Sequence, residues 1–311
     1  MKHIYHVSEA KLNRNSIVTV GMFDGMHRGH QYLIQHLVEK AHSNDRDAVV
    51  LTFFPHPDKV IRNIEERYYL TTPEYRAYLI GELGVDWVIT HPFDESVRQI
   101  RAADFVDMLH KHLRMSALWA TASFAMGYKR EGNIEFLTAQ GLEKGFTVET
   151  IDYLLANGGD AHRISSSEIR QTLTEGDVEQ ATYYLGRPYT VAGEVVSGEM
   201  RGRQIGFPTA NIDVWQEQIL PRHGVYACWA TLGTERFMAV TNIGHRPTFG
   251  GEDATVEAHL LDFDRDIYGQ HLVVEFVARL RDEMKFAGID ALVEQIDRDV
   301  ARGREILQQT L

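Results

Sequence analysis

The feature that most constrains this chain is a change of periodicity near its middle. Up to about residue 165, short apolar runs alternate with segments whose apolar residues recur every three or four positions. The runs at 16–23 (SIVTVGMF), 47–54 (DAVVLTFF), 86–90, 116–124 and 146–153 have strand length. Between them, 29–41, 73–83, 103–113 and a segment capped by Asn133 and running to about 144 have helical spacing. Strands that are almost entirely apolar and separated by helices predict a parallel sheet covered on both faces, a Rossmann-like α/β layer. Two short helices over 166–174 and 177–185 follow, and then Gly186. Beyond it come six runs with strand character, at 189–196, 209–214, 224–232, 236–243, 254–262 and 272–281, without intervening helices. That pattern predicts an antiparallel barrel or sandwich, closed by an amphipathic helix at 289–307. The chain thus reads as two domains, 1–185 and 186–311. Its 311 residues are enough for two separate cores.

Composition narrows the function classes. With 32 Lys and Arg against 44 Asp and Glu, the net charge is −12. Such a chain is a poor bulk binder of nucleic acid or of an anionic membrane, although a local site can still hold small anions. The single cysteine, Cys228, excludes an internal disulfide and a multi-cysteine zinc site. It lies in an apolar run, as a small buried hydrophobe would. No apolar stretch approaches the roughly 18 residues of a membrane span, and the first residues lack the apolar region of a secretory signal, so a cytoplasmic location is expected.

The first predicted strand runs into GMFDGMHRGH, residues 21–30. A strand, a glycine-rich turn and a helix start together aim backbone N–H groups and the positive end of a helix at one place, which suits a phosphate. The run lacks G-x-G-x-x-G and lacks a Walker A lysine. It adds His27 and His30, two imidazoles that could donate to phosphate oxygens. Arg28 and Gly29 between them exclude the H-E-x-x-H of a zinc protease. At 163–170 (RISSSEIR), Ser165, Ser166, Ser167 and Arg170 form a second candidate anion cradle, although a serine triplet alone is also an ordinary helix cap. In the second half, Thr209 and Asn211 are two apart on a predicted strand and so share a face. Their hydroxyl and amide oxygens suit Mg²⁺ shared with phosphates. Gly198, Gly202 and Gly206 precede them in a loop that can lie against a ligand, or in a plain hairpin.

Residues 21–30 closely resemble the signature of the nucleotidyltransferase superfamily, in particular its bacterial FAD synthetase branch. Residues 52–57 (TFFPHP) and 163–170 are similar to two further motifs of that branch. The resemblance implies an ATP site built from Gly21, Phe23, Asp24, Gly25, His27, Gly29, His30, Ser165, Ser166, Ser167 and Arg170. It departs at 121–132, where the family pattern G-x-[DN]-F-x-F-G-x-x-R-x-G meets Thr121, Ser123 and Met126. The family uses this segment near substrate, so Ser123 becomes a candidate flavin contact lacking the reach of aspartate. Residues 193–211, 224–227, 242–249, 257–263, 266–269 and 280–286 resemble riboflavin kinase in order. That resemblance implies ATP binding by Gly198, Gly202, Arg203, Gly206, Pro208, Thr209 and Asn211, with metal at Thr209 and Asn211. It implies Glu257 as general base and Arg281 and Phe286 on the flavin side.

Together the two resemblances imply that the chain makes FMN from riboflavin and ATP, then FAD and diphosphate from FMN and ATP, with Mg²⁺ required. The departures at 121–126 leave open a kinase whose first domain has lost or altered adenylyl transfer. A flavin-binding regulator without turnover is the further alternative, against which Glu257 argues, since a sensor needs no base.

Overall fold

The computed structural model describes residues 1–151, 155–157, 160–198, 202, 205–248 and 251–310. The chain forms two compact units, Met1–Ser166 and Ser167–Leu311.

In the first unit the elements run β1 (Lys2–Ile4), β2 (Ser16–Val20), α1 (Arg28–Ser43), β3 (Asp47–Phe54), α2 (Pro57–Arg62), α3 (Pro73–Gly81) and β4 (Trp87–Pro92). They continue with α4 (Glu95–Arg98), α5 (Ala102–Leu113), β5 (Met115–Ala120), β6 (Ala125–Met126), β7 (Gly132–Asn133), α6 (Ile134–Lys144), β8 (Thr147–Thr150), β9 (Leu155–Asn157) and β10 (Asp160–Arg163). Six strands make one parallel sheet in the order β1-β4-β3-β2-β5-β8. Burial on both faces is visible residue by residue. Ile17, Val50, Val88 and Ala117 pack with Leu33, Ile34, Leu37 and Ile80 of α1 and α3. Their neighbours Val18, Val49, Ile89 and Leu118 pack with Phe105, Leu109 and Leu137 of α5 and α6. Alternate residues of each strand therefore feed opposite cores, which is why the strands read as unbroken apolar runs. The sequence pattern did not reveal β1: its three residues, Lys-His-Ile, pair with β4 through the backbone and carry little apolar signal.

The second unit opens with α7 (Ser166–Glu175), whose first residue closes the first unit, and α8 (Val178–Leu185). Then come β11 (Tyr189–Val196), β12 (Ala210–Val214), β13 (Gly224–Leu232), β14 (Glu235–Thr248), β15 (Gly251–Leu260), β16 (His271–Arg281) and α9 (Ile289–Gln308). The six strands close into an antiparallel barrel in the order β11-β12-β15-β14-β13-β16. The barrel is therefore the outcome, and the sandwich is not. Closure removes the sheet edges that a short antiparallel sheet would otherwise expose. The last helix packs on the outside: Leu307 is buried against Ala227, Trp229 and Ala278. Gly303 lies under Val240, where an added Cβ would be 3.1 Å from the valine methyl. Cys228 faces the opposite way from Ala227 and Trp229 and is fully buried, and burial pushes its thiol up to about 12, so it is inert at neutral pH.

Candidate functional sites

The turn after β2 is held by side chains that take its carbonyls. Thr52 Oγ1 donates to Met22 O at 2.8 Å, and Arg76 Nη1 donates to the same oxygen at 3.2 Å. Gln31 Nε2 donates to Met26 O, and Ser166 Oγ donates to Asp24 O at 2.9 Å. Phe23 and Met26 both adopt left-handed backbone, with φ of 50° and 44°. Such positions store strain and persist where the surroundings over-determine them, as they do in this turn.

Asp24 has a positioning task. Its side chain is fully buried and accepts from Leu70 N, Thr71 N and Thr71 Oγ1, each at 3.1 Å. Its carboxylate fixes the turn to the segment at Leu70 and Thr71. Arg76, also fully buried, is its electrostatic counterpart: burial pulls the guanidinium pKa down while Asp24 pulls it up. Sequence reasoning missed Arg76 because one arginine on a helix looks like a solvated residue.

His27 caps α1, its Nδ1 accepting from His30 N at 3.4 Å. With Nδ1 as acceptor, a neutral His27 carries its hydrogen on Nε2. The rings of His27 and His30 stack at 3.6 Å between centroids, and the edge of Phe23 meets His30 at 5.2 Å. The imidazole pair is thus oriented before any ligand arrives. Gly21, Gly25 and Gly29 lie in the same strand–turn–helix unit. Ser165 and Ser166 close the first unit, whereas Ser167 and Arg170 sit on α7 within the second.

The segment that departs from the FAD synthetase pattern keeps a defined shape. Tyr128 N donates to Ile100 O at 2.7 Å, and Arg130 Nη2 to Ser123 O at 3.0 Å. Glu131 Oε1 accepts from both Arg101 Nε and Ala102 N, capping α5. The Ser123 and Thr121 side chains make none of these bonds. Met126 is buried in the core.

In the barrel unit, strand register joins residues that are far apart in sequence. Arg281 pairs with Val225, Val225 with Asn242, Asn242 with Glu257, and Glu257 with Asn211. This is one continuous row across β16, β13, β14, β15 and β12. Directly opposed residues put their side chains on the same face, about 5 Å apart at Cβ. Thr209, just before β12, donates from Oγ1 to Glu257 Oε2 at 3.5 Å. His259 Nδ1 donates to Pro208 O at 2.8 Å, and its ring meets the edge of Phe207, fixing the strand end that presents Thr209. An added Cβ on Gly198 would be 2.2 Å from Asn211 Nδ2, so the backbone at Gly198 lies directly against the asparagine. Gly202 and Gly206 belong to the same loop. Arg203 lies outside the described residues. A cavity of about 380 Å³ reaches Pro208 and Thr209 and is lined also by Val195, Leu260, Ile267 and Tyr268. Its size suits a nucleoside.

Arg281, expected on the flavin side, is already engaged. Its Nε donates to both oxygens of Asp299 on α9, at 3.1 and 2.9 Å, and Nη2 reaches Asp299 at 2.8 Å. Its Nη1 donates to Asp282 O. The ion pair is largely buried, at 17% and 6% side-chain exposure. Its visible work is to fasten α9 to the end of β16. The guanidinium also lies 5.8 Å from the ring of Phe286.

Two family models match the chain. The FAD synthetase family matches residues 9–168, and the riboflavin kinase family matches residues 185–307. A bifunctional riboflavin kinase/FMN adenylyltransferase of Escherichia coli strain K12 is 36% identical over 312 residues, covering 100% of this chain and 98% of the relative. The chain belongs to the bifunctional riboflavin kinase/FMN adenylyltransferase family. A Bacillus subtilis (strain 168) member is 35% identical over 301 residues, covering 96% of this chain and 93% of its own length. A crystal structure described as a macrolide-efflux protein from Streptococcus pneumoniae superposes with a TM-score of 0.89 at 28% identity. It covers 97% of this chain and 98% of its own. Among the described residues, no helix of the present family member is long and apolar enough to cross a membrane. Riboflavin, FMN and ATP are the substrates of the family, and FMN and FAD its products.

Proposed function

We propose that the two reactions of the family divide near Gly186, with the α/β part joining FMN to AMP and the barrel phosphorylating riboflavin. The single observation that carries the kinase assignment is the row that sets Glu257 between Asn211 and Asn242, with Thr209 at its side.

In the barrel, the cavity beside Pro208 and Thr209 takes the adenosine of ATP, and the phosphates extend toward Asn211. Glu257 Oε accepts the proton of the riboflavin primary hydroxyl as that oxygen bonds to the γ-phosphorus and the bond to the β-phosphate oxygen breaks, releasing ADP. The donor set fits Mg²⁺: a hydroxyl and an amide oxygen, with the phosphates completing the shell. Among the described residues, no group of three His, Cys, Asp or Glu offers an all-protein cage. Thr209 and Asn211 would hold the ion, which when bound neutralises charge on the transferring phosphoryl group.

In the α/β unit, an oxygen of the FMN phosphate bonds to the α-phosphorus of ATP and diphosphate leaves, so no protein nucleophile is needed. His27 donates from Nε2, and the α1 N-terminus adds its positive end. His30, stacked on His27, keeps that ring in place. Gly21, Phe23, Gly25, Gly29, Ser165 and Ser166 shape the phosphate cradle of that unit. Ser123 and Phe286 are assigned to the flavin of the first and second reaction. Arg281 serves the second by holding the chain before Phe286. A cytoplasmic location fits the absence of a membrane-spanning helix among the described residues.

Incubation with riboflavin, ATP and Mg²⁺, followed by separation of the flavins, tests the proposal. FMN and FAD are expected, and neither flavin from folded, metal-replete protein overturns it. The departures at Thr121 and Ser123 favour a second reading, a kinase with impaired adenylyl transfer. FMN without FAD, even with FMN and ATP supplied directly, decides for that reading.

A further inference from the structure

Asn242 and Glu283 belong to the motif runs of the barrel, yet the mechanism above leaves both without a task. They meet at Gly244. A Cβ built on Gly244 would lie 2.9 Å from Glu283 Oε1, 3.0 Å from Asn242 Nδ2 and 3.8 Å from Thr255 Oγ1. Gly244 is not among the residues with positive φ, so its backbone does not demand glycine. The missing side chain is demanded by space: a carboxylate, an amide and a hydroxyl crowd one point. Register explains two of them. Thr255 pairs with Gly244, and Asn242 precedes Gly244 by two residues on the same face of β14. Glu283 comes from the chain between β16 and α9, beside His223 at 4.0 Å.

This notch adjoins the base. Asn242 is the direct cross-strand neighbour of Glu257, on the side away from Asn211. If the phosphates of ATP occupy the Asn211 side, the acceptor alcohol enters from the Asn242 side. Riboflavin carries its reacting hydroxyl at the end of a chain bearing three more hydroxyls. A polyol of that kind needs closely spaced acceptors and donors. We propose that the notch over Gly244, formed by Asn242, Thr255 and Glu283, binds the secondary hydroxyls of the ribityl chain and so sets the kinase's selectivity for a polyol-bearing flavin. The inference rests on the kinase reading of the barrel. The notch residues are specificity determinants, since each lies beyond the residue that takes the proton.

The test compares two substrates on the full-length protein. One is riboflavin. The other is a flavin with a 5-hydroxypentyl chain, which keeps the primary hydroxyl and lacks the secondary ones. Thr255→Val and Glu283→Gln should each raise KM for riboflavin about tenfold, the effect of losing a hydrogen bond to a polar or charged partner. KM for the hydroxypentyl flavin and KM for ATP should stay as in the wild type. Gly244→Ala, which fills the notch, should act in the same direction. FAD formation from supplied FMN, carried by the other unit, reports that each variant is folded. Equal losses on both flavins, or no loss on either, would overturn the proposal. Absence of phosphorylation of either flavin by the wild-type protein would instead overturn the kinase reading.

Discussion

Asn242 stands directly opposite Glu257 on neighbouring strands of the barrel, and Asn211 stands opposite Glu257 on its other side. The carboxylate is therefore flanked by two amides on one face. That placement makes Glu257 the group to remove first. Glu257→Gln keeps the shape and deletes the proton acceptor. FMN formation should fall by about 10² to 10⁴-fold. FAD formation from supplied FMN and ATP should be unchanged, and two separate product assays read both.

Metal dependence should be carried by Thr209 and Asn211. Residues that merely support a metal ligand typically cost about 10- to 100-fold in affinity when lost, so a ligand itself should cost at least that. Asn211→Ala is expected to raise the Mg²⁺ concentration for half-maximal kinase activity by about tenfold or more. Gly198→Ala should move it in the same direction, because its Cβ would collide with the Asn211 amide. Magnesium titrations at saturating ATP check both.

The loop around Ser123 keeps its shape through Tyr128, Arg130 and Glu131, none of which depends on the Ser123 side chain. Restoring an acidic side chain there should therefore supply a contact without rebuilding the loop. Ser123→Asp is expected to speed FAD formation from FMN by about tenfold, the value of one charged hydrogen bond of roughly 1.4 kcal/mol. Steady-state rates at fixed ATP measure it. Kinase activity should not change.

His91 gives the first unit a specific acid sensitivity. It is buried at the end of β4, accepts from Val7 N at Nδ1, and has its ring 4.5 Å from that of His6. Burial, and then the neighbouring His6, push its pKa down to about 4, against a small opposing pull from Asp94. The unfolded chain takes up this proton near pH 6.5 and the folded chain only near 4. The stability held by neutral His91 is thus fully present above pH 6.5 and is lost as pH falls from 6.5 toward 4. The difference corresponds to at most about 3 kcal/mol. Urea unfolding of the first unit should show this slope, and His91→Gln should flatten it.

Asp299 should matter to both stability and the kinase. Asp299→Ala leaves Arg281 largely buried without its partner, a change that costs about 3 kcal/mol or more. Thermal unfolding of the barrel should fall accordingly. Asp299→Glu should recover part of the loss.

The element pattern was legible because burial is periodic. The unbroken apolar runs of β2 to β5 named a parallel sheet, and Asn133 and Asp177 cap α6 and α8 as their side chains suggest. The short helices α2 and α4 escaped notice because neither buries a residue fully. At the sites, residue types were legible and their partners were not. Asp24 looked like a ligand group, yet its carboxylate is spent on Leu70 and Thr71, 46 and 47 residues away. Arg281 looked free for flavin, yet Asp299 holds it. Asn242 opens a motif run, yet its place beside Glu257 is set by β14 lying next to β15. Pairing of that kind is decided by closure of the barrel, a long-range event that local composition does not encode.

The five-residue row across the barrel has a consequence for how such genes decay. Its alignment depends on the hydrogen-bond ladder as much as on the side chains. A single codon inserted early in β15 could shift the strand by one position and turn Glu257 to the opposite face. Every recognisable word of the gene would remain intact, and the protein would still close its barrel, yet the kinase would be silent. A reading-frame-preserving insertion inside such a strand would therefore inactivate the site while leaving its motifs readable.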